Sequence, residues 1–170
     1  GQQAAIGSDL REFLDALGIG SALLAGYDWG GRAACVVAAL WPGRVRGLVT
    51  INGYAIQDIA RSTNPADVEQ ERRYWYQWYL QTARGAAGVE ANRAPFAKKL
   101  WRMWSPNWNF SDAEFDATAA SFDNPDYPAV TLHSYRHRYG NAPDDPRYAD
   151  LERQLAALPK IDVPAIVLHG

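Results

Sequence analysis

The chain has 170 residues, 48% of them hydrophobic and 21% charged, with a net charge of −2. That composition suits one soluble globular domain and excludes a disordered, fibrous or strongly basic chain; the partner it implies is a small molecule, with no nucleic acid and no membrane surface. The lone Cys35 cannot form an internal disulfide, the longest apolar run is far short of the ~20 residues that span a bilayer, and the N-terminus GQQAAIGSDL has no secretory pattern, so a cytoplasmic protein is expected.

Residues 2 to 17 place Ile6, Leu10, Phe13, Leu14 and Leu17 at helical spacing, with Asp9, Arg11, Glu12 and Asp15 between them and Gly18 as a stop. This pattern predicts an amphipathic surface helix. The run SALLAGY (21 to 27) then reads as a strand, GGRAACVVAALW (30 to 41) as a buried helix ended by Pro42, and VRGLVTING (45 to 53) as a second strand. Uniformly apolar strands joined through a helix fit a parallel sheet covered on both faces and crossed over right-handedly. IDVPAIVLHG (161 to 170) reads as one more buried strand, with Pro164 near its start.

Between them, residues 54 to 157 carry no strong strand signal. Helices are predicted at 68 to 84, 86 to 104, 111 to 122, 127 to 139 and 146 to 157; Ser111 and Glu114 have capping-box spacing, and Pro125, Pro128 and Pro143 punctuate the joins. The aromatic crowd that includes Trp75, Trp78, Trp101, Trp104 and Trp108 reads mainly as packing of one helical layer on another. The organisation expected is therefore an α/β core part over 1–53, a helical insertion over 54–157 and a returning strand over 158–170.

The stretch GYDWGG (26 to 31) stands between the first strand and the buried helix. A small-x-Asp-x-Gly-Gly sequence there has the pattern of a nucleophile elbow, in which Gly26, Gly30 and Gly31 remove Cβ atoms that would clash in a sharp strand-to-helix turn. Asp28 at its tip would stand at the carboxyl end of the sheet, where open α/β folds place their ligands, and the following helix N-terminus would favour its ionised form. The alternative is an ordinary turn or N-cap aspartate.

Other motifs offer less. GIGSAL (18 to 23) precedes a strand and lacks the third glycine of a dinucleotide fingerprint, and no P-loop pattern occurs. His133 and His137 are four apart but no HExxH accompanies them, so no metal site is expected. Cys35, in an apolar run, is a poor candidate for a reactive thiol.

GYDWGG and the following RAACVVAALWPGRVRGLVTING resemble the elbow, helix, Trp-Pro stop and next strand of the α/β-hydrolase fold, in its branch with an aspartate nucleophile: epoxide hydrolases and haloalkane dehalogenases. The resemblance runs from about residue 5 to the end, and is strong over 20 to 54. It implies an α/β-hydrolase fold whose helical insertion is a cap, and a cofactor-free hydrolase that opens an epoxide through an alkyl-enzyme ester and releases a diol. YWYQWYLQ (74 to 81) and HSYRHR (133 to 138) are similar to the two cap segments whose tyrosines donate to the epoxide oxygen, which implies that Tyr76 and Tyr135 act with Asp28. On a helical wheel Tyr76 lies near the edge of a wide apolar arc, which suits a pocket, while Arg73, Gln77, Gln81 and Arg84 take the polar side, where Gln77 could equally face water.

Trp29, Gln77 and Arg32 complete the expected substrate-binding set. Trp29 also fits a haloalkane dehalogenase, whose Trp at this place binds the departing halide. Fluoroacetate dehalogenases place arginines one and four positions after the nucleophile; Arg32 matches the fourth, whereas Trp29 occupies the first, so half of that clamp is missing. A non-catalytic binding protein of the same fold is the further alternative. The substrate implied is a small, apolar or aromatic electrophile, and oligomeric state stays open. The resemblance further implies that early strands with an H-G-x-P loop precede residue 1, and that an acid and a histidine base follow residue 170. The chain is thus expected to be an internal fragment, unable to turn over substrate by itself; His169 is not assigned as the base.

Overall fold

The computed structural model describes residues 1–53 and 56–169. The expected start of the insertion at residue 54, and Gly170, lie outside the described residues. The chain divides into two compact units, residues 1–64 with 137–170, and residues 65–136. No helix among the described residues is long and apolar enough to cross a membrane.

In the first unit, α1 (Gln3–Ala16), β1 (Ala22–Tyr27), α2 (Trp29–Leu40) and β2 (Val45–Ile51) follow the predicted order, and β3 (Ala165–Leu168) returns later. The sheet is parallel with β2 central, pairing Gly26 with Thr50, Tyr27 with Ile51, and Ile51 with Leu168. Leu24, Cys35, Val37, Val45 and Leu48 form the core between sheet and α2, joined by Leu14 of α1. As predicted, α2 is buried over most of its length, including Ala34, Cys35, Val36, Val37 and Ala38.

Two expectations fail here for physical reasons. The strands are not covered on both faces: Leu24 of β1 points into the core, but Leu23 and Tyr27 are 71% and 63% exposed, and all four residues of β3 are exposed. An uninterrupted apolar run does not disclose which face a neighbouring helix will take, and α2 takes only one. The buried face of α1 is only in part the expected one: Leu14 is buried, but Phe13 and Leu17 are 60% and 56% exposed while Ala4, Gly7 and Ser8 are buried. The helices meet through small residues: a Cβ on Gly7 would collide with Val36 of α2. Close backbone approach, rather than large side chains, sets this contact.

The helix α9 (Ala149–Ala156) belongs to the same unit, with its fully buried Leu155 packed on Ala4 and Val36. Glu152 of α9 accepts the Ala4 N–H at 2.8 Å, meeting one of the otherwise orphaned amides at the start of α1.

The second unit is helical, as expected, but in shorter pieces. Residues 68 to 84 divide into α3 (Val68–Arg73) and α4 (Trp75–Gln81), and α5 (Ala83–Ala91) begins where Thr82 accepts the Gly85 N–H as an N-cap. Gly85 permits that reversal, since a Cβ there would collide with the Tyr79 carbonyl. A break at Asn92 starts α6 (Arg93–Trp104), and the Ser111–Glu114 capping box forms at the head of α7 (Asp112–Ala119). The unit closes on α8 (Tyr127–His137). Its core groups Tyr76, Leu80, Val89 and Leu100 with Trp75, Phe96, Tyr127, Leu132 and Tyr135, and Trp101 stacks on Trp108 with ring centroids 5.2 Å apart.

Candidate functional site

Asp28 occupies the turn between β1 and α2 with φ 47° and ψ −114°, a backbone conformation that side-chain-bearing residues rarely adopt. Its side chain makes no capping bond, which removes the N-cap alternative. The turn is secured through the main chain instead. The Asp28 N–H donates to the Ile51 carbonyl at 3.0 Å, and the Asp28 carbonyl accepts the Arg32 N–H at 3.0 Å.

The glycines around it are not equivalent. A Cβ on Gly26 would run into the Gly30 backbone, and one on Gly31 would lie 2.8 Å from Thr50 Oγ1. Gly30, expected to be as necessary, faces open space and is not required sterically. Its place is taken by Gly53, which patterning alone did not single out: a Cβ there would lie 2.7 Å from Thr50 Oγ1 and 3.2 Å from the Gly31 Cα. The elbow therefore rests on a close approach of Gly31 to Gly53 beside Thr50.

Electrostatics at Asp28 run against the sequence expectation. Burial pushes its carboxyl above the ordinary carboxylate range, and the positive charges of Arg32 and Arg138 pull it partly back. Arg32 is only 4% exposed. Its Nη1 donates to Gln57 Oε1 at 2.7 Å, and its guanidinium lies over the Trp29 ring at 4.5 Å. Gln57 in turn donates through Nε2 to the Arg138 carbonyl at 3.0 Å, and its backbone exchanges hydrogen bonds with the Gln3 side chain. Neither Gln57 nor Arg138 has a sequence signature. Each is a polar residue in a loop or at a helix end, and only the folded chain brings it to Arg32 or Asp28.

In the helical unit, Tyr76 of α4 and Tyr135 of α8 are brought together, with rings edge-to-face and centroids 5.4 Å apart; Trp104 packs edge-on against Tyr76 at 5.3 Å. Gln77 does not face water, as its place on the wheel allowed. It is 2% exposed, and its Nε2 donates to the Tyr76 hydroxyl at 2.8 Å. Gln81 Nε2 donates to the Gln77 carbonyl and the Tyr135 carbonyl, each at 3.1 Å. The four-residue spacing of Gln77 and Gln81 on one helix is the signal that could have exposed this pair.

The other candidates resolve simply. Cys35 is buried, which pushes its thiol up and away from reactivity. His137 Nε2 pairs with Asp144 Oδ1 at 2.6 Å, and no group of three or more His, Cys, Asp or Glu among the described residues could hold a metal ion. His169 is exposed just beyond β3.

Comparison with known proteins adds to this geometry. The model of a family described as the α/β hydrolase fold matches residues 2–170. A crystal structure from Klebsiella pneumoniae, of a protein provisionally described as an epoxide hydrolase, is 47% identical and superposes with a TM-score of 0.97, covering 100% of this chain and 56% of that one. A Pseudomonas aeruginosa protein with the same provisional description is 17% identical with a TM-score of 0.76, covering 98% of this chain and 54% of that one, a likeness of fold alone. Epoxide hydrolase 4 from Mus musculus is 38% identical over 45 residues, 26% of this chain and 12% of that protein. The chain thus spans little more than half the length of the solved structures it resembles.

Proposed function

Because the chain belongs to the α/β-hydrolase fold family, we propose that it carries the alkylating residues of an epoxide hydrolase, with Asp28 as nucleophile. One observation carries the reading: Asp28 is held at φ 47° and ψ −114° between a strand and a buried helix, with its side chain making no capping bond. Strain of this kind persists where the surrounding structure imposes it, and it clusters at reactive residues. The 47% identical neighbour, itself described provisionally as an epoxide hydrolase, supports the choice of electrophile.

In this reading a carboxylate oxygen of Asp28 attacks a ring carbon. The carbon–oxygen ring bond breaks with its electron pair on oxygen, and that oxygen takes a proton from Tyr76 or Tyr135. A hydroxyalkyl ester on Asp28 and a phenolate result. Water then adds to the ester carbonyl, the diol departs, Asp28 returns as carboxylate, and the proton released restores the phenol. That second step uses a general base.

A halide leaves without a proton, so a haloalkane dehalogenase would give the tyrosine pair no acid role. The guanidinium of Arg32 is engaged by Gln57 and Trp29, which counts against its use as a substrate carboxylate clamp. Trp29 and Arg32 are better read as shaping the charge around Asp28.

Rapid quenching of the protein with styrene oxide tests the assignment. The expected result is a covalent mass adduct that maps to Asp28 and is absent from Asp28→Asn. An adduct elsewhere, or none, overturns it.

A further inference from the structure

Gln57 makes four hydrogen bonds at once, and they leave its side-chain amide a single orientation. Its backbone N–H donates to Gln3 Oε1 at 3.0 Å and its carbonyl accepts from Gln3 Nε2 at 3.1 Å, which pins the segment after β2 to the first turn of α1. Its side chain then divides by chemistry: Oε1 accepts from Arg32 Nη1 at 2.7 Å, and Nε2 donates to the Arg138 carbonyl at 3.0 Å. A reversed amide would set N–H groups against a guanidinium and an oxygen against a carbonyl, so neither bond would survive. Gln3, Asp28, Arg32, Gln57 and Arg138 all belong to the first unit.

What this amide holds is a buried cation. The Arg32 guanidinium lies over the Trp29 ring at 4.5 Å, and a charge in such a setting is unfavourable unless an acceptor or an anion meets it. Asp28 stands one turn before Arg32, the spacing at which an aspartate and an arginine ordinarily pair, and the Arg32 N–H already donates to the Asp28 carbonyl. Yet the side chains do not join: Arg32 and Arg138 act on the Asp28 carboxyl through charge at a distance, with no hydrogen bond to it from either guanidinium.

We propose that Gln57 is a positioning residue that keeps Arg32 off the Asp28 oxygens, taking the guanidinium donor itself so that the positive charge stays near while the carboxylate stays open to an electrophile. This rests on the reading of Asp28 as nucleophile given above. A guanidinium and a carboxylate in contact form a strong, often bidentate pair. Alkylation removes the carboxylate charge, so every such bond weakens on the way to the ester, and direct pairing stabilises the starting state more than the transition state. A charge held at a distance still favours the ionised form but loses less as the ester forms. The acceptor suited to that task is a neutral amide oxygen, because a second carboxylate in its place would cancel the charge of Arg32.

Two measurements test this together: single-turnover alkylation by styrene oxide across pH, read as the Asp28 mass adduct, and titration of the Asp28 carboxyl by NMR of isotope-labelled aspartate. Gln57→Met keeps the length and removes the acceptor, which releases Arg32 onto Asp28. The rate on the alkaline plateau should fall by about tenfold to a hundredfold, and the Asp28 titration should move to lower pH. Adding Arg32→Met to that variant should recover most of the lost rate and carry the titration above that of wild type, since the interfering donor is gone. Gln57→Glu serves if Gln57→Met does not fold, as reported by circular dichroism. It retains an acceptor, so its plateau should fall less, and its titration should move to higher pH as the charge of Arg32 is balanced. Wild-type rate and titration in Gln57→Met, a loss that Arg32→Met does not relieve, or a titration in Gln57→Glu that stays or falls, each overturns the role of Gln57. A wild-type protein that forms no Asp28 ester overturns the reading of Asp28 instead, and the titrations then still decide whether Gln57 keeps Arg32 from that carboxyl.

Discussion

The Asp28 N–H reaches the Ile51 carbonyl at 3.0 Å, so the residue just past the end of β1 is still tied to the last residue of β2 while its own φ stands at 47°. The hydrogen bond and the unusual backbone occur together at this one residue. Glycine adopts this conformation freely, since it mirrors an ordinary extended one. Asp28→Gly is therefore expected to be more stable than Asp28→Ala by about 1 kcal/mol, the reverse of the usual order. Urea denaturation of the two variants checks it.

Burial raises the Asp28 carboxyl, and that has a definite sign for stability. Below the ordinary aspartate range both folded and unfolded chains hold the proton. As pH rises the unfolded chain ionises first, so this group's contribution to stability falls until the folded carboxyl also ionises at its higher pKa. Asp28→Asn should accordingly be more stable than wild type at neutral pH, with the advantage shrinking as pH falls from the raised folded pKa down to the ordinary aspartate range and gone below it. Denaturation midpoints across pH measure it.

The same shift bears on the proposed reaction. Alkylation by Asp28 would require the carboxylate, so its rate should fall on an acid limb lying above the ordinary aspartate range. Arg138 lowers the Asp28 pKa, and Gln57 Nε2 donates to its backbone carbonyl. Arg138→Gln is expected to move the acid limb to higher pH with little change in the plateau rate. A pH profile of single-turnover alkylation decides.

The glycines of the elbow should separate cleanly. A Cβ on Gly26 meets backbone that cannot swing aside, and Gly26→Ala should destabilise by about 3 kcal/mol. Gly30 faces open space inside α2, and Gly30→Ala should stabilise by roughly 0.5–1 kcal/mol through helix propensity. Thermal melts of both variants test the contrast.

Much of the first unit was legible because its signals are local. The strand, elbow, helix and strand over residues 22–51 follow from apolar runs and from an aspartate set among glycines, and each element lies within two or three residues of its expected bounds. The burial of α1 was legible only at Leu14 and Leu10, because Gly7 and Ser8 weigh nothing in an apolar count, yet Gly7 makes the contact with Val36. The long helices predicted over 68 to 84 and 86 to 104 broke where Thr82 and Asn92 interrupt them, and the apolar stripe runs through both breaks. Gln77 stood in the expected substrate-binding set but could equally face water on the wheel; its burial beside the adjacent tyrosine hydroxyl is legible only once the rotamers are set.

The conformation of Asp28 also bears on how such a protein would drift over generations. Aspartate and glycine codons differ by a single base, and the substitution that would remove the proposed nucleophile is the one that relieves its backbone. A population released from selection on catalysis would meet no folding barrier to losing it and would gain robustness in doing so. Inactive descendants that keep the whole scaffold, with glycine at the elbow tip, are the lineage this geometry favours.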